Sequence, residues 1–167
     1  SVQDAIPIST VYDDGLFRVG KNQYSRTYKF EDINYQVASE ADKETMFERY
    51  CALLNSLDSN ATTKITINNR KLNQADFEKR IFIKEQDDNL NEYRREYNQM
   101  LLAKATAGNS IMQEKYITVT VTEKSADDAR QYFNRFGASL AIQLNKLGSK
   151  CTALGAIERL RIFYDFY

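Results

Sequence analysis

Apolar and polar positions alternate near the start of the chain, and this pattern predicts two strands joined by a tight turn. Aromatic and β-branched residues at 16–19 and 24–30 flank the polar segment 20–23, which contains Gly20. Along the second strand the two sides differ in character: Tyr24, Tyr28 and Phe30 share one side, and Ser25, Thr27 and Lys29 the other. This period of two indicates a hairpin whose second strand is buried on one face.

Two helices are predicted behind the same capping pattern. Ser39 precedes Asp42 by three positions, and Ser125 precedes Asp128 by three, so each serine can cap a helix N-terminus. Each cap is followed by apolar residues at helical spacing. These are Met46, Phe47, Tyr50, Leu53, Leu54 and Leu57 in the first helix, and Ala129, Tyr132, Phe133, Phe136, Leu140, Leu144 and Leu147 in the second.

Two further segments alternate as strands. Residues 62–68 place Ile65 and Ile67 on one side, and residues 116–122 place Ile117, Val119 and Val121 inward with threonines outward. A return strand is predicted at 150–154, after Gly148, and a last helix from about Ala156.

The stretch between the strands predicted at 62–68 and 116–122 is more polar. A short helix is predicted around 73–79, an edge strand at Ile81–Ile83, and a helix from about Asp88 that ends near Gly108. We expect residues 69–110 to form an insertion.

The order of elements predicts an α+β fold in one domain spanning residues 1–167. Residues 24–68 and 114–154 form two βαβ units that must bury their apolar sheet faces against helices. A ferredoxin-like split βαβ sandwich meets this need, with an N-terminal hairpin, the helical insertion and an extra C-terminal helix. A four-stranded sheet with another strand order is the alternative.

The amino-acid composition excludes several kinds of functional site. The chain has no histidine, and its two cysteines, Cys51 and Cys151, lie far apart, so no zinc site or histidine-based catalysis is expected. Basic and acidic residues balance at 23 each, so nucleic-acid binding is not expected either. Gly20-Lys21 lacks the rest of a phosphate-binding loop.

The carboxylate pairs have structural interpretations. Asp13-Asp14 suits a turn, and Asp87-Asp88 and Asp127-Asp128 suit helix N-termini. We therefore predict no catalytic, cofactor-binding or metal-binding residue. An enzymatic or small-ligand domain that uses carboxylates and tyrosines is the alternative function.

The last helix is apolar around much of its circumference. Such a helix is usually buried. We expect it either to pack entirely on the sheet of its own domain or to turn part of its surface toward a following domain. The interface residues predicted on the second interpretation are Ile157, Leu160, Phe163, Tyr164 and Tyr167.

Several segments together resemble a known family. They are VQDAIP at 2–7, YDDGLFRV at 12–19, YKFEDINY at 28–35, KYIT at 115–118 and IERL at 157–160. In this order they resemble the amino-terminal region of conjugal-transfer ATPases of the CagE/TrbE/VirB type, in the form found in conjugative elements of Gram-positive bacteria.

The resemblance implies a non-catalytic assembly and docking domain of a type IV secretion motor. ATP and Mg²⁺ are expected only in a later domain with Walker motifs, outside this chain. The expected partners are that ATPase domain and other subunits of the transfer apparatus, and a homo-oligomer is left open. The implied location is cytoplasmic, peripheral at the inner face of the membrane, without a transmembrane segment.

Overall fold

The computed structural model describes residues 7–33, 35–71, 81–107 and 111–166. Strands and helices alternate along this part of the chain. The strands are β1 (Thr10–Val11), β2 (Phe17–Gly20), β3 (Gln23–Phe30), β4 (Thr62–Lys71), β5 (Ile111–Thr122) and β6 (Cys151–Ala153). The helices are α1 (Glu40–Asn55), α2 (Asn91–Ala107), α3 (Ala126–Lys146) and α4 (Ala156–Phe166), and a short 3₁₀ turn spans Tyr35–Val37.

The sheet confirms the predicted α+β class. Its order is β1-β2-β3-β5-β4, and β6 also pairs with β3. Antiparallel pairing joins β3 to β2, β5 and β6. The unit β3-α1-β4 therefore encloses β5, and the unit β5-α3-β6 encloses β3. This interleaving is the strand order of the ferredoxin-like sandwich.

The chain divides into two compact units, 1–67 with 115–167, and 68–114. The predicted insertion at 69–110 falls within the second unit. In the first unit, the hydrophobic core lies between one sheet face and the helices α1 and α3. Its buried members are Leu16, Tyr24, Tyr28, Leu53, Ile117, Val119, Val121, Ala129, Phe133, Leu140, Leu144 and Leu147.

Local sequence features explain both helices of this core. Ser39 and Ser125 cap α1 and α3, and each hydroxyl accepts the amide of the aspartate three residues later, at 3.2 Å and 3.1 Å. Gly137 lets α3 approach the sheet closely, because a Cβ there would lie 3.0 Å from the Tyr28 ring. Both capping predictions are confirmed.

The sheet face that carries Ser25 and Thr27 is more buried than predicted. Ser25 and Thr27 are buried like the opposite side of β3, so the prediction of a half-buried strand is wrong. The reason is α4, which covers part of this face. Conversely, α1 is less buried than its stripe predicts: Phe47, Tyr50 and Leu54 are exposed.

The second unit contains α2, which begins at Asn91 rather than Asp88. The predicted edge strand at Ile81–Ile83 is wrong, because the side chain of Asn98 on α2 takes up the backbone amide and carbonyl of Ile83, at 3.0 Å and 2.9 Å. The helix predicted at 73–79 and the end at Gly108 lie outside the described residues. No described helix is both long and apolar enough to cross a membrane.

Candidate functional site

The last helix, α4, is held on the sheet by a buried arginine. Arg159 is only 3% exposed. Its Nη1 donates to the carbonyls of Gly15 and Ser25, each at 2.7 Å, and its Nη2 donates to the Ser25 hydroxyl at 3.0 Å. The guanidinium lies 3.8 Å from the centre of the Phe17 ring. These contacts fix the rotation of α4 about its axis.

Burial sets the electrostatics of this anchor. It lowers the pKa of Arg159 to about 9, and the positive charge of Arg26 acts in the same direction. Among the described residues no carboxylate forms an ion pair with Arg159. The guanidinium is therefore a charge neutralised only by carbonyl dipoles, a hydroxyl and an aromatic face.

Arg159 was not predicted from the sequence as a functional or structural residue. Its position four residues before Phe163 was the available sign, because residues at that spacing share one helix face. Phe163 stacks on Phe17 with ring centroids 6.4 Å apart and an interplanar angle of 20°. The inner face of α4 thus consists of an arginine and a phenylalanine on the same partner ring.

An exposed flank of α4, beside the face that carries Arg159 and Phe163, contains most of the predicted interface. Ile157 is 71% exposed, Leu160 is 46% exposed and Tyr164 is 86% exposed. They stand at positions i, i+3 and i+7, so they form one apolar stripe. We call these three residues the α4 stripe. Of the other two predicted residues, Phe163 packs inward and Tyr167 lies outside the described residues. The packing of α4 on the sheet of its own domain is thus confirmed for Arg159 and Phe163, whereas an interface at the α4 stripe stays a prediction.

A second apolar surface lies between α1 and β4. A groove of about 190 Å³ runs between these elements and the loop after β3. Tyr50, Leu54 and Ile65 line it and are about half exposed. Their periodicity predicted that these residues lie in the core, because periodicity does not reveal whether another element covers them.

The acidic pairs have structural partners. Partial burial works to raise the pKa of Asp14, but hydrogen bonds from Arg130 and the Leu16 amide outweigh it, so its pKa is lowered. The pKa of Asp88 is lowered to about 2, chiefly by its hydrogen bond with Arg94. Asp128 accepts the hydroxyl of Ser125 at 2.7 Å as part of the helix cap.

The cysteines are free thiols and half buried. Burial raises the pKa of Cys151 to about 11, which keeps this thiol protonated and unreactive at neutral pH. Within the described ranges, no group of three histidine, cysteine, aspartate or glutamate side chains could hold a metal ion. The expectation that this chain holds no cofactor stays a prediction.

Comparison with known proteins does not identify a family for this chain. No protein-family model matches this chain, and no curated protein is significantly similar to it. What can be said of function therefore comes from the geometry of the two apolar surfaces, together with the motifs quoted above.

Proposed function

We propose that this chain is a non-catalytic assembly and docking domain that makes protein–protein contacts. The observation that carries the proposal is the α4 stripe. Its three large side chains are exposed on a helix whose adjacent face is anchored by Arg159 and Phe163. A contiguous apolar strip on a fixed helix is typical of helices that dock into a partner's groove.

The surroundings of the stripe resemble the rim of a protein interface. Glu158 and Arg161 lie beside it on α4 and are exposed. Interfaces commonly combine an apolar or aromatic centre with a polar rim, and tyrosine is enriched at their centres. Tyr164 is suited to such a central position because it adds a large ring with few rotatable bonds.

The structural roles of the acidic side chains also support a non-catalytic role. Asp14, Asp88 and Asp128 are each engaged in turns, caps or ion pairs. The lowered pKa values of Asp14 and Asp88 are suited to permanent charge rather than to proton transfer near neutral pH.

The identity of the partner machinery rests on the resemblance alone. On that basis, the domain belongs to a conjugative-transfer motor at the cytoplasmic face of the membrane. Its partners are the ATPase domain, which binds ATP and Mg²⁺, and other subunits of the transfer apparatus.

A double substitution in the full-length protein tests the proposal. We expect Ile157→Glu with Tyr164→Glu to change the free energy of unfolding by less than about 1 kcal/mol, because both side chains are exposed. The same variant should weaken binding to the partner at least about tenfold, or about 1.4 kcal/mol, and should lower the frequency of conjugative transfer.

Ile142→Glu is the matched control, because Ile142 is an exposed isoleucine on the outer face of α3. It should leave transfer unchanged. Normal transfer by the double variant would contradict the docking role of the α4 stripe. A gene that lies outside any transfer region would contradict the proposed machinery.

A further inference from the structure

A small pocket opens on the sheet face that α4 partly covers. Its volume is about 180 Å³. Strands β3, β4 and β5 form its floor, and the second half of α4 forms its wall. The lining residues are Thr27, Lys64, Thr66, Tyr116, Thr118, Arg159, Ile162 and Phe163.

All the formal charge in this lining is positive. Lys64 and Arg159 are the charged residues, and no aspartate or glutamate lines the pocket. Neither cation forms an ion pair with a carboxylate in the described part of the chain. Arg159 is buried without a counter-ion, which is costly, whereas Lys64 is exposed. The pocket therefore presents a positive potential that a bound anion would neutralise.

Hydrogen-bond donors remain unused there. A guanidinium has five N–H donors, and the described bonds of Arg159 use three of them. Its Nε has no partner either, but this atom is fully buried, so it contributes positive charge beside the pocket rather than a contact for a ligand. The hydroxyls of Thr27 and Thr118 bond to each other at 2.9 Å, whereas no described group bonds to the hydroxyl of Thr66.

We propose that this pocket binds a small organic carboxylate with an apolar body. The carboxylate lies toward Lys64, Arg159 and the Thr66 hydroxyl, because oxygen anions are the natural acceptors for ammonium, guanidinium and hydroxyl donors. The apolar body lies against Ile162 and Phe163, which close the other side. This inference does not depend on the docking role of the α4 stripe, which points to the outer side of the same helix.

Size and polarity favour this class over a bare inorganic anion. The volume equals that of about six water molecules in the liquid, which suits a ligand of roughly six to ten heavy atoms. A phosphate ion would leave the apolar wall without contact. A neutral apolar ligand would leave the buried charge of Arg159 without a counter-ion.

Benzoate is the probe for the test, with benzamide as its neutral isostere and inorganic phosphate as the bare anion. Methyl resonances of Thr27, Thr66 and Thr118 report on the floor of the pocket. We expect benzoate to shift them with a Kd of about 1 mM or lower, and benzamide to bind at least about tenfold more weakly. Inorganic phosphate should bind more weakly than benzoate.

Lys64→Gln is the test variant, because Lys64 is exposed and its replacement leaves the core intact. We expect it to weaken benzoate binding at least about fivefold with an unchanged melting temperature. Lys124→Gln, at an exposed lysine away from the pocket, should bind as the parent does. The proposal is overturned if benzoate leaves the three methyl resonances unmoved, if benzamide or phosphate binds equally well, or if Lys64→Gln binds like the parent.

Discussion

The anchoring of α4 by Arg159 makes the sharpest stability prediction. We expect Arg159→Met to remove three hydrogen bonds, two of them to the carbonyls of Gly15 and Ser25. Hydrogen bonds from a charged donor contribute about 1.5–3 kcal/mol each. Relief from burying a charge near Arg26 offsets part of this loss. The three bonds together contribute roughly 6 kcal/mol and this relief offsets about half of it, so the net destabilisation should be about 3 kcal/mol.

For a chain of this size, each kcal/mol lowers the melting temperature by about 2–4 °C, so the expected fall is about 6–12 °C. Calorimetry measures the fall, and urea denaturation followed by circular dichroism measures the free energy. Amide hydrogen exchange supplies the local readout. Amides of α4 should exchange faster in the variant, whereas amides of α3 should be less affected, because the lost bonds hold α4 to the sheet.

Arg161→Met is the matched control on the same helix, since Arg161 is exposed and has no described partner. It should change stability by less than about 0.5 kcal/mol. A melting temperature for Arg159→Met equal to that of the parent, or an equal loss in Arg161→Met, would refute the role of Arg159 as the anchor.

Three further predictions concern single groups. Gly15→Ala should lower the free energy of unfolding by about 3 kcal/mol or more, because φ is +81° and the new Cβ would lie 2.1 Å from the Leu154 carbonyl oxygen. Gly148 has the same φ but open space around it, so Gly148→Ala should lower it by only about 1 kcal/mol. Urea denaturation measures both changes. Ser125→Ala should lower the stability by about 1 kcal/mol in the same assay, because the cap of α3 is lost. Stability should fall as pH rises from about 9 to about 11, because burial raises the pKa of the Cys151 thiol in the folded chain above its value in the unfolded chain. The free energy of unfolding of the parent is compared with that of Cys151→Ala across this pH range.

A different outcome would contradict each of these three predictions. Equal costs at Gly15 and Gly148 would show that the Leu154 carbonyl does not constrain the turn. Ser59→Ala, at an exposed serine outside the caps, is the control for Ser125, and equal losses would discount the cap. An identical alkaline slope with and without Cys151 would mean that this thiol does not titrate differently in the folded state.

Features with a local origin could be predicted from the sequence. The caps of α1 and α3 follow from a serine three residues before an aspartate, and β3 and β5 follow from alternation. The interleaved sheet was predictable because two βαβ units with one apolar face each have few ways to bury both faces. These features depend on residues close together in the chain.

Features that depend on distant partners could not be predicted. Ser25 looks solvent-facing by parity, but it is buried because Arg159, far along the chain, bonds to it. Tyr50 and Leu54 look like core residues, but no described element covers them. Periodicity identifies which residues share a face, whereas tertiary contacts decide which face is covered.

The same limit applies to the candidate site. The α4 stripe could be predicted because helical spacing places Ile157, Leu160 and Tyr164 together. The inward position of Phe163 depends on its stacking with Phe17. The cationic pocket could not be predicted from the sequence, because Lys64 and Arg159 come together only when α4 packs on the sheet that contains β4.

Site-specific photo-crosslinking from Tyr164 can show whether the α4 stripe contacts a protein partner. A photoreactive phenylalanine analogue replaces Tyr164 in the full-length protein, in the cells that carry its gene, and replaces Ile142 in a parallel control. We expect a crosslink from position 164, and none from position 142, to a protein subunit of the transfer apparatus. No crosslink at 164, or the same products at both positions, would contradict the claim that the α4 stripe is a protein-docking surface.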